Sequence, residues 1–383
     1  MQTHNIFIIK QKDHSVYRKS FQQRNFLLLH GVKHLQKIVI VIIVLVLLFA
    51  GIYYFITTNT VKKPSEPQND PSTVTHTLMD DQQILPNSST TPPLQPVKLI
   101  FIHHSCGENW LTDNNGGLGI ALRDNNYFVS DTNYGWGPVP KEGSAPIGSL
   151  TDIGHWWLWF RGPKSAEIMD ALFTENSQHS TYSRLNTDPG GKNQIVMFKS
   201  CYPNSNLRGN PGDPVPSIDT NPLKGLDVSS KTFTVANAKG IYIDLLPYFE
   251  QHQGTLFVVI TAPPVIDAQY AGNAREFNQW LVRDWLKDYP YKNVAVFDFY
   301  NVLTTNGGNL KVNDLNKETG NHHRWWNNTV QHVADIGGAY DTSAYPSSLK
   351  DSHPSKAGNQ KATAEFVPLL NIAFNRWQGT SGK

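Results

Sequence analysis

From residue 97 onward, short apolar runs rich in β-branched and aromatic residues alternate with longer stretches of helical period. The runs are 97–103 (VKLIFIH), 127–134 (YFVSDTNY), 193–199 (NQIVMFK), 256–261 (LFVVIT) and 294–299 (VAVFDF). Three of them, 193–199, 256–261 and 294–299, are apolar enough to be strands buried on both faces, and 127–134 is a weaker strand. Between them, 234–251 carries apolar residues at Val235, Ala238, Ile241, Leu245, Leu246 and Phe249. Residues 273–287 carry Phe277, Leu281, Trp285 and Leu286, and 356–377 closes the chain as a long helix that Pro368 is expected to kink. Five strands alternating with helices argue for an α/β fold with a five-stranded parallel sheet and right-handed crossovers.

The N-terminal quarter is different in kind. Residues 38–56 (IVIVIIVLVLLFAGIYYFI) are 19 in a row without a charge, close to the roughly 20 that cross a bilayer as a helix. Tyr53 and Tyr54 fit an interfacial aromatic belt. A core helix would carry polar positions on one face, and no A-x-A cleavage site follows the run. The expectation is a single transmembrane signal anchor at 38–57. Lys10, Lys12, Arg18, Lys19, Arg24, Lys33 and Lys37 precede it and only Lys62 and Lys63 follow closely. Residues 1–37 are therefore expected in the cytoplasm and the bulk of the chain outside. Residues 58–96 are rich in Pro, Ser, Thr, Asn and Gln and read as a disordered stalk, leaving 97–383 as the folded domain.

The formal net charge of +2 gives no global reason to expect a nucleic-acid partner. Two cysteines, Cys106 and Cys201, are too few for a disulfide scaffold or a cysteine-based zinc site. His103, His104, His155, His322 and His323 show no H-E-x-x-H or comparable ligand spacing, so packing roles are expected and no metal or other cofactor.

Ligands on an open parallel sheet bind beyond the carboxyl ends of the strands. After the first strand comes His103-His104-Ser105-Cys106-Gly107, after the third Ser200-Cys201-Tyr202-Pro203-Asn204-Ser205, and before the last helix Lys350-Asp351-Ser352-His353-Pro354-Ser355. These are the residue types that acyl transfer needs. A serine hydroxyl is a weak nucleophile until an imidazole takes its proton, a carboxylate holds that imidazole in one tautomer, and donors stabilise the oxyanion.

On these stretches, across roughly 97–377, the chain resembles the SGNH/GDSL hydrolase superfamily. That resemblance implies a three-layer flavodoxin-like fold, with Ser105 as nucleophile, His353 as general base and Asp351 as its acid. It also implies an oxyanion hole from the Ser105 and Gly135 backbone N–H groups and the Asn204 side chain, with Gly137 as the alternative glycine. The chain departs from the family pattern in three places. GDS is replaced by HHS, the asparagine sits in CYPNS rather than GxND, and DxxH is shortened to DxH. The HHS-x-G opening resembles divergent subfamilies. The shortened spacing leaves Asp351, another carboxylate or a backbone carbonyl to orient His353.

A flavodoxin-like strand order makes strands one and three neighbours. Cys106 and Cys201 lie just past their ends in an oxidising compartment, so a Cys106–Cys201 disulfide and a pair of buried thiols are both open. Trp136, Trp156, Trp157, Trp159, Trp325 and Trp326 are either walls for a sugar ring or core. Residues 202–230, long and rich in Pro and Gly, read as a cover over the site. The expected function is an extracytoplasmic serine esterase that removes acetyl or other short acyl groups from a carbohydrate. An O-acyltransferase on surface glycans, a catalytically silent surface-binding module and a lipase are the alternatives.

Overall fold

The computed structural model describes residues 89–304, 323–326, 329–332 and 341–379. The chain divides into two units, Met1–Thr77 and Leu78–Lys383, and all the described residues fall in the second. The cytoplasmic segment 1–37, the anchor at 38–57 and most of the stalk at 58–96 lie outside the described residues. Among the described residues no helix is long and apolar enough to cross a membrane.

The sheet holds β1 (Val97–Ile102), β2 (Tyr127–Thr132), β3 (Ile195–Lys199), β4 (Leu256–Ile260) and β5 (Val294–Phe297), in the order β2-β1-β3-β4-β5. Every pairing is parallel, and β1 meets β3 with Leu99 opposite Ile195 and Ile102 opposite Phe198. This is the strand order of flavodoxin-like folds. Every residue of the five strands is buried. Because successive strand side chains point to opposite faces, each strand feeds two cores. Ile100, Ile102, Val196, Phe198, Phe257 and Val259 pack with the helices Val235–Gln251 and Ala271–Arg283. Leu99, Phe101, Ile195, Met197, Val258 and Ile260 pack on the other side with Ser105–Leu111, Leu118–Arg123 and the last helix, Lys356–Gln378.

The weak apolar content of β2 has a local reason. Asp131 is fully buried there and accepts hydrogen bonds from the His179 backbone N–H (2.7 Å) and the Tyr182 hydroxyl (3.0 Å), with His103 Nε2 at 3.1 Å. A buried carboxylate is tolerable only with such partners.

Pro368 does not end the last helix, which runs unbroken from a Ser355 N-cap to Gly379 in the left-handed region. That helix also holds the start of the domain. Asn371 Nδ2 donates to Thr90 O, and Asn375 Nδ2 to Ser89 O and Thr91 O, each at 2.9 Å. Ordered chain therefore begins before Val97, the boundary expected from composition.

Four of the tryptophans do not form sugar-ring walls. Trp156 and Trp159 are fully buried, Trp136 nearly so, and Trp157 packs half-buried on the same core. The side chains of Trp325 and Trp326 lie outside the described residues. The segment 202–230 is not a free-standing cover either, since Leu207 and Leu223 enter the core and Tyr202 at its start touches His353.

Phe198 sits at the centre of one core, against Trp156, Phe160 and Phe249. Phe198→Ala is expected to lower the unfolding free energy by about 3–5 kcal/mol. Urea denaturation checks this, and a loss below about 1 kcal/mol would contradict the packing.

Candidate active site

Site residues gather where β1 and β3 end. After Ile102 the chain turns through His103 and His104 into the helix Ser105–Leu111. His103 is fully buried, its Nε2 on Asp131 and its Nδ1 2.9 Å from His104 O. Gly107 comes so close to it that an added Cβ would lie 2.3 Å from His103 Cβ. The glycine of the HHSCG stretch is thus a packing requirement, which lets the helix sit directly on the histidine and places Ser105 at its first turn.

His104 is a fixed wall. Its Nε2 donates to Gly148 O (2.7 Å), and the Thr151 hydroxyl is 3.0 Å from its Nδ1. Burial is the largest influence on this ring and lowers its pKa, which agrees with a neutral imidazole donating from Nε2 alone. The Tyr134 ring stacks on it at 3.9 Å.

The base arrives from the other end of the chain on a short antiparallel pair, β8 (Pro346–Ser348) and β9 (Asp351–Pro354). A second pair, β6 (His323–Trp326) and β7 (Thr329–His332), precedes it. On a strand, residues i and i+2 share a face, and this makes the DxH spacing work. His353 Nδ1 lies 2.6 Å from Asp351 Oδ1, the same oxygen that accepts the His353 backbone N–H at 3.0 Å. Ser347, across the hairpin, donates to Asp351 Oδ2 at 2.7 Å. The His353 N–H first, then the Ser347 hydroxyl, hold the carboxyl at about 2, so it is ionised throughout the working range. The Ser352 hydroxyl accepts the Ile266 N–H at 3.1 Å and ties the hairpin to the chain beyond β4. Ser355 then caps the last helix, and Gly358 allows Tyr345 within 2.6 Å of where a Cβ would be.

The line closes at Ser105, whose Oγ is 2.8 Å from His353 Nε2. Ser105, His353 and Asp351, separated by up to 248 positions in sequence, form one hydrogen-bonded chain in the order hydroxyl, imidazole, carboxylate. Chemically, this arrangement can move a proton from a hydroxyl to an imidazole.

The oxyanion donors expected from the sequence are placed differently. The Gly135 N–H is already given to Ser149 Oγ at 2.9 Å, in a turn where its φ of 77° favours glycine. The Asn204 amide is buried and donates to Asp152 Oδ1 (2.7 Å) and Cys201 O (3.3 Å), while its Oδ1 accepts from Ile153 N–H (2.8 Å). Asn204 thus staples two loops together, and its amide has no hydrogen left for an oxyanion. Gly137, at φ 79°, packs against Ile147. Tyr134, stacked on His104, stands beside Ser105 and interacts with its side chain and its backbone. Nothing in the sequence singles this tyrosine out.

Cys106 and Cys201 meet beneath the triad. Both are free thiols, so the disulfide that was one of two expectations is not formed here. Their sulfurs are hydrogen-bonded at 2.7 Å, and Cys201 Sγ is 3.6 Å from Ser105 Oγ. Among the described residues these two sulfurs and a His353 nitrogen lie within 4.8 Å of one another. Two thiolates on one tetrahedral zinc ion would sit roughly 3.8 Å apart. The two sulfurs lie closer together than that, at 2.7 Å. The hydrogen bond from Cys106 first, with further help from His353 and Lys199, holds the Cys201 thiol well below its ordinary range, while burial pushes Cys106 up. His353 is raised to about 9, first by its hydrogen bond to Cys201 and also by Asp351.

No family model matches the chain, and no curated protein matches it. A solved structure of a family two carbohydrate esterase from Clostridium thermocellum in complex with cellohexaose is similar at 12% identity and a TM-score of 0.32. The match covers 74% of this chain and 66%, just under two thirds, of that one.

With the thiols reduced, the hydrogen bond to Cys201 first, and Asp351 with it, shift the His353 ring toward its charged form, to about 9. In NMR titrations of the reduced protein, His353 is expected to titrate near that value, and Cys201→Ala to bring it down toward the ordinary 6.5. A midpoint near 6.5 in both proteins would disprove the coupling.

Proposed function

We propose that the chain is a serine esterase, in which Ser105 attacks an ester carbonyl and His353 takes the hydroxyl proton. The observation that carries this reading is the unbroken hydrogen-bond line from Ser105 Oγ through His353 to Asp351. In the neutral ring Asp351 keeps Nδ1 protonated, so that the lone pair at Nε2 faces the serine. The charge that develops on the carbonyl oxygen is met by the Tyr134 hydroxyl, which stands beside Ser105. The imidazolium then gives its proton to the departing alcohol, leaving an acyl-Ser105. Water, deprotonated by the same imidazole, releases the acid.

The substrate class is an acylated carbohydrate with a short acyl group. Two tyrosine rings support it: Tyr134, 60% exposed beside Ser105, and Tyr202, edge-on to His353 at 4.8 Å. An exposed ring and a half-buried one flanking a nucleophile suit the apolar faces of a sugar with polar groups at its edges. The uncharged run at 38–56 and the excess of Lys and Arg before it support a domain anchored outside the cytoplasm.

The test is hydrolysis of p-nitrophenyl acetate, its longer homologues and acetylated glycans by the full chain. Ser105→Ala and His353→Ala are each expected to lower kcat by about a thousandfold or more. Tyr134→Phe is expected to cost about a hundredfold in kcat with KM nearly unchanged. Acetyl esters are expected to outpace long-chain ones. Full turnover by Ser105→Ala would overturn the mechanism, and a preference for long acyl chains would overturn the substrate class.

A further inference from the structure

The triad leaves Cys201 unexplained. A serine esterase needs no thiol 3.6 Å from its nucleophile, nor a second one 2.7 Å from the first. Both cysteines are held by the elements that build the site. Cys106 follows Ser105 in the helix Ser105–Leu111, and Cys201 opens the turn Tyr202–Ser205 after β3. The β1–β3 pairing brings these two positions together. A ring nitrogen of His353 lies within 4.8 Å of both sulfurs and its Nε2 is 2.8 Å from Ser105 Oγ, so one imidazole has two candidate proton donors, the serine hydroxyl and the Cys201 thiol.

The geometry points to Cys106 and Cys201 as a redox pair that decides which group His353 serves: joined as a disulfide they leave the imidazole to Ser105, and reduced they return Cys201 to the imidazole and lower turnover. The activity half of this rests on the esterase reading, whereas the thiol half does not.

The reduced arrangement is self-limiting for a serine mechanism. A thiol loses its proton to imidazole far more readily than a hydroxyl does. Cys201 and His353 therefore settle as thiolate and imidazolium, as the lowered thiol and the raised imidazole both indicate. An imidazolium cannot accept the Ser105 proton. The other charged or titratable groups facing the pair do not compete for this proton. Lys199 favours the thiolate from the end of β3, His104 is held by Gly148 and Thr151, and the phenols of Tyr134 and Tyr202 are pushed upward, chiefly by burial.

Oxidation needs an acceptor, for which a low-molecular-weight disulfide, RS–SR, suffices. The Cys201 thiolate attacks one sulfur of RS–SR, forming Cys201–S–SR and expelling RS⁻. The Cys106 thiol loses its proton and attacks the Cys201 sulfur, forming the Cys106–Cys201 bond and expelling a second RS⁻. The protein loses two hydrogens and two electrons, and the acceptor becomes two RSH.

The experiment treats the full chain with oxidised glutathione or with dithiothreitol. It reads intact mass, ester turnover at pH 7 and the rate at which iodoacetamide alkylates Cys201. Oxidation is expected to remove two hydrogens without leaving glutathione attached, and to raise turnover by about tenfold or more, reversibly with dithiothreitol. In the reduced protein Cys201 is expected to be alkylated at pH 6 far faster than an ordinary thiol, and His353→Ala to slow it. Cys201→Ala is expected to respond to neither reagent. Two alkylatable thiols after oxidation, or a disulfide that leaves turnover unchanged, would overturn the inference. Loss of two hydrogens with no ester turned over in either state would instead overturn the esterase reading and leave the thiol pair standing.

Discussion

The pairing of β1 with β3 is the contact on which the site depends. The strand order reverses direction there, with β2 on one side and β4 and β5 on the other. The chain therefore leaves the carboxyl ends of β1 and β3 toward opposite faces of the sheet, and a crevice opens between them. Ser105 comes from one lip and Cys201 from the other. The two cores anchor that pairing, since Ile100 and Ile102 face one layer of helices while Leu99 and Phe101 face the other. A shift of one residue between these strands would exchange the layers that their side chains meet.

The base comes from a smaller piece of physics. A two-residue spacing between carboxylate and imidazole would splay the side chains apart on a helix, where neighbours lie three or four residues apart. On a strand the same spacing puts them on one face. The β8–β9 hairpin supplies that strand, and Ser347 on the opposite arm holds the second carboxylate oxygen. The shortened motif is thus a change of backbone conformation rather than a loss of the acid.

The sheet was legible because strands buried on both faces must be apolar throughout, and few other segments of this chain are. Ser105 and His353 were legible because each follows or precedes a strong element in a place where a parallel sheet exposes its strand ends. The hairpin was not, as PSS and DSHP are short and polar and their pairing depends on the chain around them. Gly135 and Asn204 were identified by residue type, but their hydrogen bonds are decided by Ser149 and by Asp152 and Ile153, distant in sequence. Tyr134 left no signal, because its place beside Ser105 comes from stacking on His104 and not from any spacing. For the aromatic residues the second of the two readings holds: Trp156 and Trp159 sit in a short helix and fill one face of the sheet.

The asparagines of the last helix that grip residues 89–91 lie where the chain approaches the amino end of β1. Ser105 and His353 sit past the other end of the same strand. Six residues of extended chain span about 20 Å, so the clasp on residues 89–91 and the Ser105–His353 pair are separated by the length of β1. The Asn371 and Asn375 hydrogen bonds hold the chain at the amino end of β1, remote from the contact between serine and imidazole at its carboxyl end.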